Sequence, residues 1–143
     1  MPQVGLDCYM YYNSGTLGSP TWNLITLARD VTLGMGAMEA DAKTRGSALA
    51  AALAAHIEVE INFDMLYDTT DTVFNALLTV FLARGEVELA LMDGPIATTG
   101  SQGPRVACSL FKFDRGEPLD DSLVMSVTAK PTYGAAFTWL DIA

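Results

Sequence analysis

Three carboxylates, Glu58, Glu60 and Asp64, have the residue types and spacing in this chain that come nearest to chemistry. On one face of an extended strand, adjacent same-side residues stand roughly 7 Å apart. A metal ion, or two carboxylates dividing acid and base roles, can be imagined on such a row. A solvated acidic face is the far commoner reason for one, and the other candidate groups give the row no help. His56 is the only histidine, so any serine or cysteine nucleophile would have to pair with it, and no Gly-x-Ser-x-Gly elbow is present. Cys8 and Cys108 read as a disulfide or redox pair, or as two small hydrophobes in strands; the second reading is the commoner in a reducing compartment. With a single histidine they cannot complete a four-ligand structural zinc site. The segment from Gly94 to Gly103 is glycine-rich, but it lacks the lysine of a phosphate loop and follows no strand-to-helix pattern. No catalytic residue, metal or cofactor is expected.

The elements that position these residues are plainer. From Ile57 to Met65, apolar Ile57, Val59, Ile61, Phe63 and Met65 alternate with polar Glu58, Glu60, Asn62 and Asp64. A period of two specifies a strand with one buried and one wet face, so the carboxylates point away from the core. Asp68-Thr69-Thr70-Asp71 then offers side-chain oxygens to the free N–H groups of a following helix. That helix is expected from about Thr70 to Arg84, packing Phe74, Leu77, Leu78 and Phe81 on a sheet, with Gly85 taking the left-handed conformation that stops it. Directly afterwards Val87, Leu89 and Leu91 alternate with Glu86, Glu88 and Ala90, which predicts a second half-buried strand.

On either side lie more strands. Leu6, Cys8, Met10 and Tyr12 alternate with Asp7, Tyr9 and Tyr11, and Asn13-Ser14-Gly15 turns the chain toward a short return strand at Trp22 and Leu24. A third strand is read from Asp30 to Met35, with Val31, Leu33 and Met35 inward. Between Gly36 and Ala55 the pattern fails. Alanine favours helix in the tract from Ala48 to Ala55, but so short a piece needs something to pack on, and a long arm or hairpin that orders against a neighbouring subunit fits equally well. Beyond the polar connection from Thr98 to Pro104, a strand from Arg105 to Asp114 changes phase, which predicts a bulge near Leu110. A last long strand runs from Ser122 to Lys130. The tail, 132–143, carries Tyr133, Phe137 and Trp139, aromatics that want a surface to rest on. The fold expected is a single α+β domain, a mainly antiparallel β-sandwich or open barrel with one packed helix.

Composition narrows the function classes. The chain has 143 residues, with 17 acidic against 8 basic side chains and a net charge of −9, which is not the footprint of a protein that grips phosphate backbones. No apolar run approaches the roughly 18 residues of a membrane-spanning helix. The start, Met-Pro-Gln-Val-Gly-Leu-Asp, does not read as a secretory signal, so an intracellular product is expected.

Several segments, in order, resemble the tail tube (major tail) proteins of tailed bacteriophages. They are Gly5-Leu6-Asp7 leading to Tyr11-Tyr12-Asn13 and Trp22; Asp30-Val31-Thr32-Leu33 followed by Glu39-Ala40-Asp41 and Thr44-Arg45; and Ile57 to Asp68 with its strand-to-helix switch. Further on are Leu89-Ala90-Leu91-Met92-Asp93-Gly94, Gly100-Ser101-Gln102-Gly103, and Glu117-Pro118-Leu119 before Ser126-Val127-Thr128-Ala129-Lys130-Pro131-Thr132. The alanine tract departs from the family pattern, where a more polar strand and loop is expected. The resemblance implies a structural virion protein whose subunits form stacked hexameric rings, their strands closing into one ring-wide β-barrel. Its lumen would carry DNA in transit and the tape-measure protein, with tail-terminator and baseplate proteins as further partners and no membrane. Under that reading Glu58, Glu60 and Asp64 are expected to face the lumen or its rim, where acid repels phosphate; the alternative wall is the even-numbered face from Ser122 to Lys130. A rival reading is a small β-barrel binding module for a hydrophobic ligand held by Tyr9, Tyr11 and Trp22.

Overall fold

Alternation between Ile57 and Met65 is realised in a longer strand, whose partners are visible in a computed structural model describing residues 5, 8–16, 18–46, 48–49, 52–132 and 137–142. Leu6, Asp7, Tyr133 and part of the alanine tract lie outside the described residues. In chain order the elements are β1 (Tyr9–Asn13), β2 (Trp22–Leu24), β3 (Ala28–Asp41), β4 (Ala52–Leu66), α1 (Thr72–Leu82), β5 (Glu86–Met92), β6 (Gln102–Gly116), β7 (Val124–Pro131) and β8 (Phe137–Asp141). The strands form one sheet in the order β2-β1-β5-β6-β7-β4-β3, with β8 added along β6. Neighbouring strands are antiparallel throughout. The sheet curls without closing, so the fold is α+β of the open-barrel kind.

One side of the curled sheet holds the core. Ile61, Phe63 and Met65 of β4, Met125, Val127 and Ala129 of β7, Val106, Cys108 and Leu110 of β6, and Val87 and Leu89 of β5 converge there. Across them lies α1, which inserts Phe74 and Leu77. Burying two side chains of that size contributes about 1.5–3 kcal/mol each. Phe113 sits under the helix edge-on to Phe74 and stacked with Phe81, at centroid distances of 6.1 and 5.5 Å.

Local chemistry sets both ends of α1. Asp71 is the N-cap, its carboxylate accepting from the Phe74 backbone N–H at 3.1 Å. Asp68 precedes it in a tight turn, accepting from the Thr70 hydroxyl and backbone N–H, and these bonds hold its carboxyl below the usual range. At the other end the Gly85 N–H reaches Val80 O and the Arg84 N–H reaches Phe81 O, the paired closing bonds of a Schellman turn. The left-handed residue is Arg84, with φ of 56°, and not Gly85 as its lack of a side chain suggests. The helix is correspondingly a residue or two shorter at each end than its sequence pattern.

Other expectations change. β5 is buried on both faces rather than one: Glu88 and Ala90 are covered as completely as Val87 and Leu89. A second small cluster accounts for this, in which Tyr11, Ala90 and Met92 pack with Trp22, Leu24, Ile96, Leu140 and Ile142 on the side away from the main core. The tail supplies part of that cover because it forms β8, pairing Phe137–Asp141 with Val106–Gln102. Consequently β6 begins at Gln102, inside what reads as a polar connection, and includes Pro104. The phase change falls where expected, with a register shift between Leu110 and Lys112. Finally, strands continue through much of 36–55, since β3 and β4 pair from Ala28–Met65 out to Asp41–Ala52. This hairpin outruns the core: Met35 is 54% exposed and Ile57 70%. Val31 is exposed too and only Leu33 of the three β3 residues expected inward reaches the core, because β3 is the end strand of the sheet.

Candidate functional site

Pairing register decides which side chains share a face. Asn62 lies opposite Thr128 and Asp64 opposite Ser126 across β4 and β7, while Asp114 and Lys112 of β6 lie opposite Ser126 and Thr128. On the other flank Thr32, Gly34 and Gly36 of β3 face Asn62, Glu60 and Glu58. Directly opposed residues of an antiparallel pair point to the same side. One polar surface therefore runs unbroken over β6, β7, β4 and β3, on the reverse of the core.

Hydrogen bonds knit this surface together. The Ser126 hydroxyl donates to Asp64 Oδ1 at 3.0 Å and the Thr128 hydroxyl to Asn62 Oδ1 at 2.7 Å. Asn62 Nδ2 in turn donates to Glu60 Oε1 at 3.0 Å, and Lys112 pairs with Asp114 at 3.3 Å. Glu58 stands exposed. Glu58 and Glu60 border a shallow groove with Gly34, Gly36 and Lys130. Glu58, Glu60, Asp64 and Asp114 against Lys112 and Lys130 leave the surface acidic. Asp64 and Glu60 are engaged by side-chain donors, and among the described residues no group of three or more His, Cys, Asp or Glu is gathered to hold a metal. What this arrangement provides is a broad, polar, negatively charged wall.

The other candidates are dispersed. His56 is exposed near the outer end of β4. No disulfide joins Cys8, which is exposed, to Cys108, which is buried in the core. Burial, and then the nearby Glu88 charge, push the Cys108 thiol up to about 12, so it is a poor nucleophile at neutral pH. Of the aromatics proposed to hold a hydrophobic ligand, only Tyr9 borders an open groove of about 900 Å³, which is lined also by Trp139, Leu24, Val31, Leu33 and Leu91. Tyr11 is instead buried, its hydroxyl accepting from the Ile96 N–H at 3.1 Å, and the Trp22 ring lies under the Arg105 guanidinium at 5.2 Å. The helix residues Phe74, Leu77, Leu78 and Phe81 all belong to the main core or its margin.

Sequence reading missed one polar cluster. Glu88, only 8% exposed, accepts from Asn13 Nδ2 at 3.0 Å and pairs with Arg105 Nε at 3.0 Å. Arg105 is thus held between a carboxylate and an indole, and it ties β1, β2, β5 and β6 together. A lone Glu in an alternating strand looks solvated; its partners sit 75 and 17 positions away, where no local pattern points to them.

No protein-family model matches the sequence, and no curated protein sequence matches it. Solved structures do. The tail of an empty gene transfer agent particle, determined with C6 symmetry, superposes with a TM-score of 0.70 over 96% of this chain and 99% of that one, at 15% identity. The tail tube of SPP1 gives 0.78 over 99% of this chain and 81% of that one, at 9% identity. A chain of the six-fold symmetrised baseplate of the anti-feeding prophage gives 0.66 over 99% and 97%, at 8% identity. This chain has the tail-tube fold. On that fold the acidic wall and the protruding β3–β4 hairpin are, among the described residues, two broad surfaces left without a cover. The wall is polar, whereas the hairpin carries Met35, Met38, Leu53 and Ile57 in the open.

Proposed function

We propose that this protein is a structural subunit of the tail tube of a phage or phage-like particle, and not an enzyme. The observation that carries the reading is the superposition of nearly the whole chain on subunits of assembled, six-fold symmetric tail structures. Copies associate into hexameric rings, rings stack, and the strands bearing the acidic wall join into one ring-wide β-barrel. The hairpin, at about 36–55, reaches an adjacent subunit, where Met35, Met38, Leu53 and Ile57 lose their exposure to water. Glu58, Glu60 and Asp64 face the lumen, so that DNA passes without the salt-sensitive grip that basic residues would exert. Partners are further copies of the chain, the tape-measure protein, tail-terminator and baseplate proteins, and DNA in transit. The place of action is the virion tail, assembled in the host cytoplasm.

Negative-stain images of the purified protein test this reading. Rings or tubes are expected; a protein that remains a compact monomer at all concentrations overturns it. The groove beside Tyr9 and Trp139 keeps a second reading alive, a carrier of a hydrophobic ligand, which predicts a monomer that quenches its Trp139 fluorescence on taking up an apolar dye.

A further inference from the structure

One buried oxygen atom fastens the end of the sheet that lies farthest from the β3–β4 hairpin. β2 is three residues long, stands last in the strand order and among the described residues pairs only with β1. So short a pairing is marginal by itself. Side chains supply the rest of the hold. Asn13 organises the connection into β2: its Oδ1 accepts from the Gly15 and Thr21 N–H groups at 2.8 and 2.9 Å, and its Nδ2 donates to Thr16 O at 3.1 Å. Trp22 of β2, half-buried, lies under the Arg105 guanidinium. Asn13 Nδ2 and Arg105 Nε then converge on a single acceptor, Glu88 Oε1, each at 3.0 Å.

Glu88 is poorly placed to keep a charge unless it is paired. Its side chain is 7% exposed, on the face away from the main core, with Asn13 opposite on β1 and Ala107 opposite on β6. Among the described residues the charged and titratable groups around it are few. Arg105 comes from β6. Cys108, also of β6, feels the Glu88 charge, and with its thiol raised to about 12 it stays neutral in acid. Glu86 precedes it on the same face of β5, with Lys130 of β7 beyond Ser109. β1 brings the Tyr11 hydroxyl, which is occupied by the Ile96 N–H, and β2 brings the uncharged Trp22. A proton on Glu88 removes the charge that balances the Arg105 guanidinium, and a neutral carboxyl accepts more weakly than a carboxylate. A buried pair that loses one charge leaves the other uncompensated, and the nearest relief is for Arg105 and the indole under it to move out to water.

We infer that Glu88 is an acid-operated fastening: ionised, it holds the β1–β2 connection and β2 on the sheet, and protonated, it releases them as a flap. The flap is the run 14–24. Its hinges are Asn13 and Ile25, and Ile25 is anchored in the main core with its N–H bonded to Met10 O. Lifting the flap takes Trp22 and Leu24 off Tyr11, Ala90 and Met92, which uncovers an apolar patch on a chain that is otherwise folded. The direction follows from the charge: the hold is present where Glu88 is ionised and is lost as pH falls. The device works within one chain and does not depend on what the chain assembles into.

Tryptophan quenching reads the position of the flap. The chain has two tryptophans, so in Trp139→Phe the signal comes from Trp22 alone. Its quenching by acrylamide is followed beside far-UV circular dichroism while pH is lowered from 7 to about 4, through the range in which carboxylates take up protons. The quenching constant is expected to rise toward that of free tryptophan while the dichroism holds. Glu88→Gln in the same background is expected to be quenched as strongly already at pH 7 and to show no acid step. A Trp22 signal that changes only together with the dichroism overturns the inference, and so does an acid step that survives in Glu88→Gln or a Trp22 that stays shielded in that variant. If Glu88→Gln does not fold, hydrogen exchange of the Trp139→Phe protein decides: protection lost in 14–24 at the acid end with β5 and β6 still protected supports the flap, and uniform loss overturns it.

Discussion

Ser126 and Asp64, 62 positions apart in the chain, share a 3.0 Å hydrogen bond across β7 and β4. The bond places the even-numbered face of the last long strand on the same side of the sheet as the acidic row of β4. The two walls that sequence pattern offers as alternatives are therefore one wall, and a lining role for either implies it for both.

Lysine substitution tests that role. In assembled tubes, Glu58→Lys with Glu60→Lys and Asp64→Lys should make empty tubes retain DNA at low salt and release it at high salt, because cations on the wall exchange with phosphate counterions. Ser126→Lys with Thr128→Lys should do the same. Retention is read by co-sedimentation of labelled DNA across a salt series. If both sets assemble and neither binds, the wall faces outward.

Removal of residues 36–55 should abolish tubes and leave a folded monomer. Pairing of β4 with β7 starts at Ile61 and the buried residues of β4 start at Val59, so the core loses nothing with the hairpin's outer part. Microscopy and a thermal melt of the same sample check the two halves of the prediction. Normal tubes from the truncated chain would show that the hairpin is not the stacking element.

Helix anchoring should be graded along α1. Phe74 is 1% exposed and its truncation to alanine is expected to cost about 3–5 kcal/mol. Phe81 is half-buried against Phe113, so Phe81→Ala should cost roughly half as much, in proportion to the smaller area withdrawn from water. Urea titrations of the two variants give the comparison. A loss at Phe74 below about 1 kcal/mol would mean that the helix is held elsewhere.

Cys108 gives a pH signature. Its thiol is raised from an ordinary 9.0 to about 12 in the folded chain, so between these values the unfolded chain has lost a proton that the folded chain keeps. Stability then falls as pH rises: the contribution is intact below about pH 9 and is lost progressively up to about pH 12. Denaturation midpoints of the natural protein should drop more steeply over this window than those of Cys108→Ala. Parallel curves would sink the assignment.

Much of this fold is legible where one strand face meets the core. Alternation locates β4 and β7, the phase change at Leu110 locates the bulge, and Asp71 with Val73, Phe74, Leu77 and Phe81 locates α1, because each signal is local and period-based. Legibility fails where long-range partners decide. Glu88 is buried because Arg105 and Asn13 come to it; Pro104 is in a strand because the tail doubles back as β8; and Val31, Met35 and Ile57 obey the alternation yet stay exposed, since the pattern tells which face is apolar and not whether one chain contains its cover. The acidic row of the candidate wall was readable, but its union with Ser126 and Thr128 was not, since register between strands 60 residues apart is absent from either one alone.

The register that unites the wall also sets an order for synthesis. β3 and β4 are translated early and can pair as a hairpin, but Ile61–Leu66 of β4 meet their second neighbour only when Val124–Ala129 have been made. Among the described residues, Lys112–Gly116 of β6 likewise pair with β7 alone. Until the last fifth or so of the chain leaves the ribosome, a nascent subunit has an incomplete wall and an unformed β6–β7 unit, so it cannot present both ends of the sheet. On the tail-tube proposal, the late synthesis of Val124–Pro131 would act as a timer against premature association of neighbouring chains on one message.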